Sequence, residues 1–292
     1  MKYKKYIFFF LALLNFTSLF TMNPTRQNAL NKALVQNIVN ISDNKLLKEK
    51  IEQLLKQGAN PNAKVYIGTR SHKPALERAI QFGRSYEVIE TLLKGKANAN
   101  FGQDLPPIFE AIDHPDYLRI IPLLKSYDAN LNFNPYIGTP LMSAAKSGKF
   151  NVVDFLIAQG ADQTIKDEQG ATYKEYALAG ATSQNDLKRM GEYLANGADP
   201  NAYMQNEALP LRLAFMQNNN ESIKLLMDYG ADPYQQFGST VIRLLIDFTE
   251  NQEQRKFVEE YYKIRQEKIK KEVEEFGIFP REIAEIIASF KP

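Results

Sequence analysis

Histidine beside a carboxylate is the usual starting point for proton transfer near neutral pH, and this chain offers two histidines to consider. His114 stands among Asp113 and Asp116; His72 stands with Arg70 and Lys73 and has no acidic neighbour in sequence. The His114 arrangement reads as a surface hydrogen bond at a helix–turn boundary rather than as an acid–base pair. Cysteine is absent, which excludes thiolate catalysis, disulfides and cysteine metal sites. No Gly-rich phosphate loop, Gly-x-Ser-x-Gly or His-Glu-x-x-His occurs. Carboxylates recur at Asp162, Asp199 and Asp232, but in a setting that marks them as turn residues. The sequence therefore assigns no catalytic residue, no metal ligand and no cofactor.

That setting is a phrase that returns six times. Gly58-Ala59-Asn60-Pro61-Asn62 is followed by Lys96-Ala97-Asn98-Ala99-Asn100 and Asp128-Ala129-Asn130-Leu131-Asn132. Gly160-Ala161-Asp162-Gln163-Thr164, Gly197-Ala198-Asp199-Pro200-Asn201 and Gly230-Ala231-Asp232-Pro233-Tyr234 complete the set. Each copy follows a short apolar helical run, and a period near 33 residues with a helix before each mark is the signature of a solenoid. Gly suits a left-handed helix end. Small Ala lets the next repeat approach, Asp or Asn holds the turn, and Pro stops the helix. Lys96 and Asp128 replace Gly, so those two ends should be strained or built differently.

A second mark opens each repeat. Thr139-Pro140-Leu141 starts a helix through Ala144 and Ala145 to Gly148, and Val152, Val153, Leu156 and Ile157 form the apolar face of a second helix. Pro74-Ala75-Leu76, Pro106-Pro107-Ile108 and Leu209-Pro210-Leu211 vary the theme, with Pro tolerated where the amide needs no intrahelical partner. This pattern resembles the ankyrin repeat, over roughly residues 28–250. It is strongest at 134–166 and weakest at 167–196, where Thr172-Tyr173-Lys174 replaces Thr-Pro-Leu. The resemblance implies an all-α solenoid of about six helix-pair repeats with degenerate caps. It also implies a non-enzymatic scaffold that binds another protein along a groove and its hairpin tips. An aromatic stands near most tips: Tyr66, Phe101, Tyr136, Tyr203 and Phe237. Aromatics bury large areas at interfaces with few rotatable bonds.

Three regions divide the chain: 1–22, the array at 23–250, and 251–292. Lys2, Lys4 and Lys5 precede the apolar run from Ile7 to Leu14, the layout of a secretory signal. The expectation is export to a periplasm or the exterior, with no membrane contact after cleavage; the alternative is an uncleaved anchor. The formal charge of +2, less those three lysines, leaves a mature chain near −1, which argues against a nucleic-acid partner. Monomer is the default. Residues 23–57 read as an N-terminal cap, and 240–248 resemble the first helix of a last repeat. Gln252–Phe276 reads as a charged, solvated helix. After Gly277, the run Ile278-Phe279-Pro280-Arg281-Glu282-Ile283 places Ile283, Ile286, Ile287 and Phe290 on one helical face. It is similar to the start of an F-box, and a truncated F-box closes some viral ankyrin proteins as a PRANC domain. The resemblance implies an adaptor to a host ubiquitin ligase that docks through Pro280, Ile283, Ile286 and Ile287. The residues alone favour a helix capping the last repeat, so that 251–292 reads as a C-terminal helical cap, F-box-like at 278–290.

Overall fold

The computed structural model describes residues 23–66, 72–102, 104–135, 137–204, 209–234, 236–237, 243–244 and 251–275. The signal-like segment 1–22, Tyr136 and the tail 276–292 lie outside them. The described residues are helical apart from turns and one two-residue strand pair. They divide into two compact units, Met1–Asn130 and Leu131–Pro292.

The first unit holds three helix pairs. These are α1 (Pro24–Asn40) with α2 (Asn44–Lys56), α3 (Ala75–Gln81) with α4 (Tyr86–Lys94), and α5 (Pro107–Ala111) with α6 (Tyr117–Ser126). Its core is aliphatic: Leu34, Ile38, Leu47, Ile51, Leu76, Ile80, Ile89, Leu92, Ile108 and Ile120 are all buried. Asp43 accepts from the amides of Lys45 and Leu46 at the start of α2, as an N-cap should.

The second unit continues with α7 (Pro140–Lys146) and α8 (Phe150–Ala158), then α9 (Tyr173–Ser183) and α10 (Leu187–Ala195), and α11 (Pro210–Met216) and α12 (Asn220–Asp228). The weakly marked stretch 167–196 forms a full helix pair. Thr172 and Glu175 cap α9 reciprocally, the carboxylate accepting from the Thr172 amide at 2.7 Å. Two short strands follow, β1 (Gln236–Phe237) and β2 (Arg243–Leu244), paired antiparallel as Gln236 with Leu244 and Phe237 with Arg243. This corrects the helix expected at 240–248 at Arg243 and Leu244, which are extended; the rest of that stretch lies outside the described residues. The β-branched run Thr240-Val241-Ile242 just before them favours a strand, which the apolar count alone did not separate from a helix.

The final helix, α13 (Gln252–Glu275), is only half solvated, a second correction. It carries the expected i,i+4 pairs, Arg255–Glu259 and Lys256–Glu260. One face nevertheless packs on the last repeat. Val258 and Gln254 are buried, the Tyr261 hydroxyl donates to Asp228 at 2.6 Å, and Arg265 donates to the Asp228 carbonyl at 2.8 Å. Burial and the Asp228 bond push the Tyr261 phenol up to about 12. Gln254 reaches Asn220 at one end of α12 and Tyr261 reaches Asp228 at the other, so α13 runs parallel to α12. That is the position of an outer helix in a further repeat.

The repeated phrase folds as its residue types dictate. Gly58, Gly160, Gly197 and Gly230 hold φ from 84° to 99°. Lys96 and Asp128 keep the same left-handed turn, at φ 70° and 63°, so these two sites carry backbone strain that Gly avoids. The alanines of all six copies are buried.

Candidate interaction surface

Two rails of side-chain hydrogen bonds hold successive repeats in register and present the hairpin tips. In the first, the third residue of the phrase closes its own turn in five copies: Asn60, Asn98, Asp162, Asp199 and Asp232 accept from the amide two residues on at 2.8–2.9 Å. The fifth residue reaches across to the next phrase. Asn62 donates to the Lys96 carbonyl at 2.9 Å and accepts from the Asn98 amide at 2.8 Å. Asn100 does the same to Asp128 and Asn130, and Asn201 to Gly230 and Asp232. Asn132 accepts from the Asp162 amide at 2.8 Å. An amide side chain is both donor and acceptor, so one residue satisfies two backbone groups.

Two joints reach the same bonds by other means. At the amino end no phrase precedes Gly58, and α1 supplies substitutes: Gln27 donates to the Gly58 carbonyl and Asn31 accepts from the Asn60 amide. In the fourth copy Thr164 stands where Asn is needed, and its hydroxyl turns back to Asp162. The first turn of α9 takes over. Glu175 accepts from the Asp199 amide at 3.2 Å and Lys174 donates to the Asn196 carbonyl at 3.0 Å.

The second rail runs through the turns between paired helices, where Arg, His and Gln all serve as donors. Arg84 donates to the Ile38 carbonyl, Gln184 to Gly148 and Gln217 to Ser183, at 2.9–3.1 Å. His114 donates from Nε2 to the Arg84 carbonyl at 3.0 Å and accepts at Nδ1 from the Asp116 amide at 3.0 Å. The accepting Nδ1 fixes the neutral tautomer. His114 is 4% exposed, which corrects the expectation of a surface hydrogen bond. Burial pulls its pKa below the ordinary histidine value, against the opposing pull of the Arg84 bond and Asp116. Nε2 thus ties His114 to the preceding repeat, while Nδ1 holds its own turn.

At the tips, Tyr66 is 67% exposed and stands edge-on to His72. Phe101 is half-buried with the Lys64 ammonium 5.2 Å from its ring centre. Tyr203 is 39% exposed. Phe237 lies in β1, its side chain outside the described part, and Tyr136 lies outside altogether. Pro280, Ile283, Ile286 and Ile287 are likewise outside. Tyr66 and Phe101 belong to the first unit and Tyr203 to the second. Sequence reasoning missed Phe133, an exposed aromatic next to the third phrase. It also missed an ionic cluster that ties the long 63–73 loop down. Lys73 bonds Glu77 of α3 at 2.9 Å and also Glu110 of α5. Burial opposes the charge on Lys73, but the bonds to Glu110 and Glu77 outweigh it and raise its pKa. The available signal was charge inside otherwise apolar helices. Among the described residues no group of three His, Asp or Glu could hold a metal, and no helix is long and apolar enough to cross a membrane.

The profile of the ankyrin-repeat family (ankyrin repeats, three copies) matches residues 76–167 and 141–237, together more than half of the 292 residues. The chain belongs to that family. It is 31% identical over 110 residues to the ankyrin repeat and KH domain-containing protein mask-1 of Caenorhabditis elegans, covering 37% of this chain and 4% of that protein. It is 37% identical over 100 residues to an ankyrin repeat-containing protein of Treponema pallidum (strain Nichols), covering 33% of this chain and 32% of the other. The chain thus spans a third or less of these curated relatives. Among solved structures, the human ASB11 ankyrin repeat domain superposes with a TM-score of 0.52 at 20% identity, over 82% of this chain and 98% of that one. That likeness is one of fold.

Proposed function

We propose that the chain is a non-enzymatic scaffold that binds another protein through the hairpin tips and the helices beside them. One observation carries this reading: the recurrent polar groups are committed to internal work, while aromatic rings stand at the tips. The asparagines and aspartates of the phrase hold turns and joints, and His114 is spent on both sides. Tyr66 and Tyr203 remain exposed. Large aromatics presented at turns suit a protein surface. The proposed binder is a monomer that carries no cofactor and takes no nucleic acid. The sequence of residues 1–22 supports export, to a periplasm or the exterior.

Proximity labelling in the compartment of the mature protein supplies partners, and purified partner is then titrated against full-length protein. Tyr66→Ala with Tyr203→Ala should weaken binding by roughly tenfold or more and leave the melting temperature unchanged. Unchanged affinity, or turnover of a small substrate lost on one polar substitution, overturns the reading. A narrower reading makes the chain an adaptor to a host ubiquitin ligase. It is supported by the sequence of 278–290 alone, through Pro280, Ile283, Ile286 and Ile287. Binding of the ligase's linker subunit, abolished by Ile286→Asp, is its test.

A further inference from the structure

Asn196 is the only asparagine in the chain that a glycine follows. An asparagine reacts with its own backbone most readily in that setting, because a following residue without Cβ leaves the approach to the side-chain carbonyl open. The pair closes α10, and both residues are exposed. The peptide unit that joins them is nevertheless held at both of its polar atoms. Its carbonyl, that of Asn196, accepts from the Lys174 ammonium at 3.0 Å. Its N–H, that of Gly197, donates to the Leu194 carbonyl at 3.0 Å. The Asn196 side chain is turned back along α10, with Nδ2 donating to the Glu192 carbonyl at 2.8 Å.

We propose that Asn196-Gly197 is a deamidation site gated by the last turn of α10 and the Lys174 bond, so that it records opening of the joint at Thr164. In the reaction, hydroxide removes the Gly197 amide proton and that nitrogen attacks the side-chain carbonyl carbon of Asn196. The new C–N bond closes a succinimide ring, and the side-chain nitrogen takes up a proton and leaves as ammonia. Water then opens the ring at either carbonyl, giving aspartate or isoaspartate. The folded joint opposes each part of this. The attacking N–H is occupied by Leu194, the peptide that must rotate is tied to Lys174, and the side-chain amide is drawn toward Glu192. Once formed, the product does not restore the joint. A carboxylate at 196 cannot donate to the Glu192 carbonyl. Isoaspartate also lengthens the main chain just before buried Ala198 and moves the Asp199 amide that Glu175 holds. This inference does not depend on the function proposed above.

The test is a time course of full-length protein at mildly alkaline pH, in buffer and in denaturing urea, read by mass spectrometry of proteolytic peptides. In urea Asn196 should deamidate before any other asparagine. In buffer its rate should fall at least roughly tenfold, since each reactive moment then requires a local opening. Lys174→Met should raise the rate in buffer several-fold and leave the rate in urea unchanged. Asn201→Ala loosens the following joint without touching this peptide, and should leave both rates unchanged. Equal rates in buffer and urea, or another asparagine reacting first in urea, would overturn the proposal. So would a Lys174→Met rate equal to the parent's in buffer. An equal rise in Lys174→Met and Asn201→Ala would overturn it too, because unfolding of the whole unit would then set the rate.

Discussion

The two rails do the same work with opposite chemistry. Along the hairpins one residue type, Asn, recurs at the fifth place of the phrase and bridges to the next copy. Along the turns between paired helices the bridging donors are Arg84, His114, Gln184 and Gln217. The difference lies in what each joint demands. On the hairpin side a carbonyl and an amide must both be met, so the residue must donate and accept. On the turn side a carbonyl alone is met at each rung, and any donor of suitable reach suffices. A doubly constrained position shows as a repeated letter, whereas a singly constrained one drifts among residue types.

The Thr164 joint sharpens the comparison, because there Glu175 and Lys174 of α9 stand in for the missing Asn, and α9 also packs closely on α7. A Cβ placed on Gly180 of α9 would lie 2.2 Å from the Ala145 carbonyl oxygen of α7, a backbone atom that cannot rotate away. Gly180→Ala should therefore give the largest effect. Helix propensity alone would favour Ala by about 0.5–1 kcal/mol, yet overpacking should destabilise the second unit by roughly 1–3 kcal/mol. Urea unfolding decides; a stabilised variant would mean the helices separate freely and the joint does not rest on close approach.

Next come the hairpin bridges. Asn201→Ala removes two bonds to backbone groups and should cost about 1–3 kcal/mol, from roughly 0.5–1.5 kcal/mol per bond. Thr164→Asn should do little by itself, because Glu175 already serves the Asp199 amide. In the Thr164→Asn background, however, Glu175→Ala should cost less than it does in the parent. A double-mutant cycle on thermal unfolding measures that coupling, and strict additivity would show that Asn cannot replace Glu175.

The turn rail breaks with pH at one rung. The folded pKa of His114 is depressed, so the unfolded chain binds the proton more readily. The rung is intact above the ordinary value of 6.5. Its contribution is lost as pH falls below that value and through the lower folded pKa. His114→Gln keeps a donor but cannot titrate, so this part of the acid sensitivity should disappear from a stability–pH profile. A profile parallel to the parent's would remove His114 from the account.

The smallest expected change is a gain. Lys96→Gly relieves a non-Gly residue at φ 70°, while its carbonyl still meets Asn62. Stability should rise by up to about 1 kcal/mol, the relieved strain being partly offset by the greater freedom of Gly in the unfolded chain. A loss would show that the Lys96 side chain contributes something beyond the turn.

The sequence by itself determined the period, the helix pairs, the left-handed turns and the buried alanines. Each follows from a local rule: a positive φ selects Gly, a turn selects Asp or Asn, and a buried face repeats at helical spacing. It also exposed the misfit copies at Lys96 and Asp128, because departure from a repeated phrase is itself visible. What only the tertiary structure decided are the long-range substitutions. Glu175 and Lys174 answer for Thr164, Gln27 and Asn31 answer for a phrase that is not there, and His114 is buried on a neighbour's carbonyl. Nothing local distinguishes those residues from solvated ones. Their roles come from backbone groups 22–31 residues away, brought within hydrogen-bond reach only when the repeats stack.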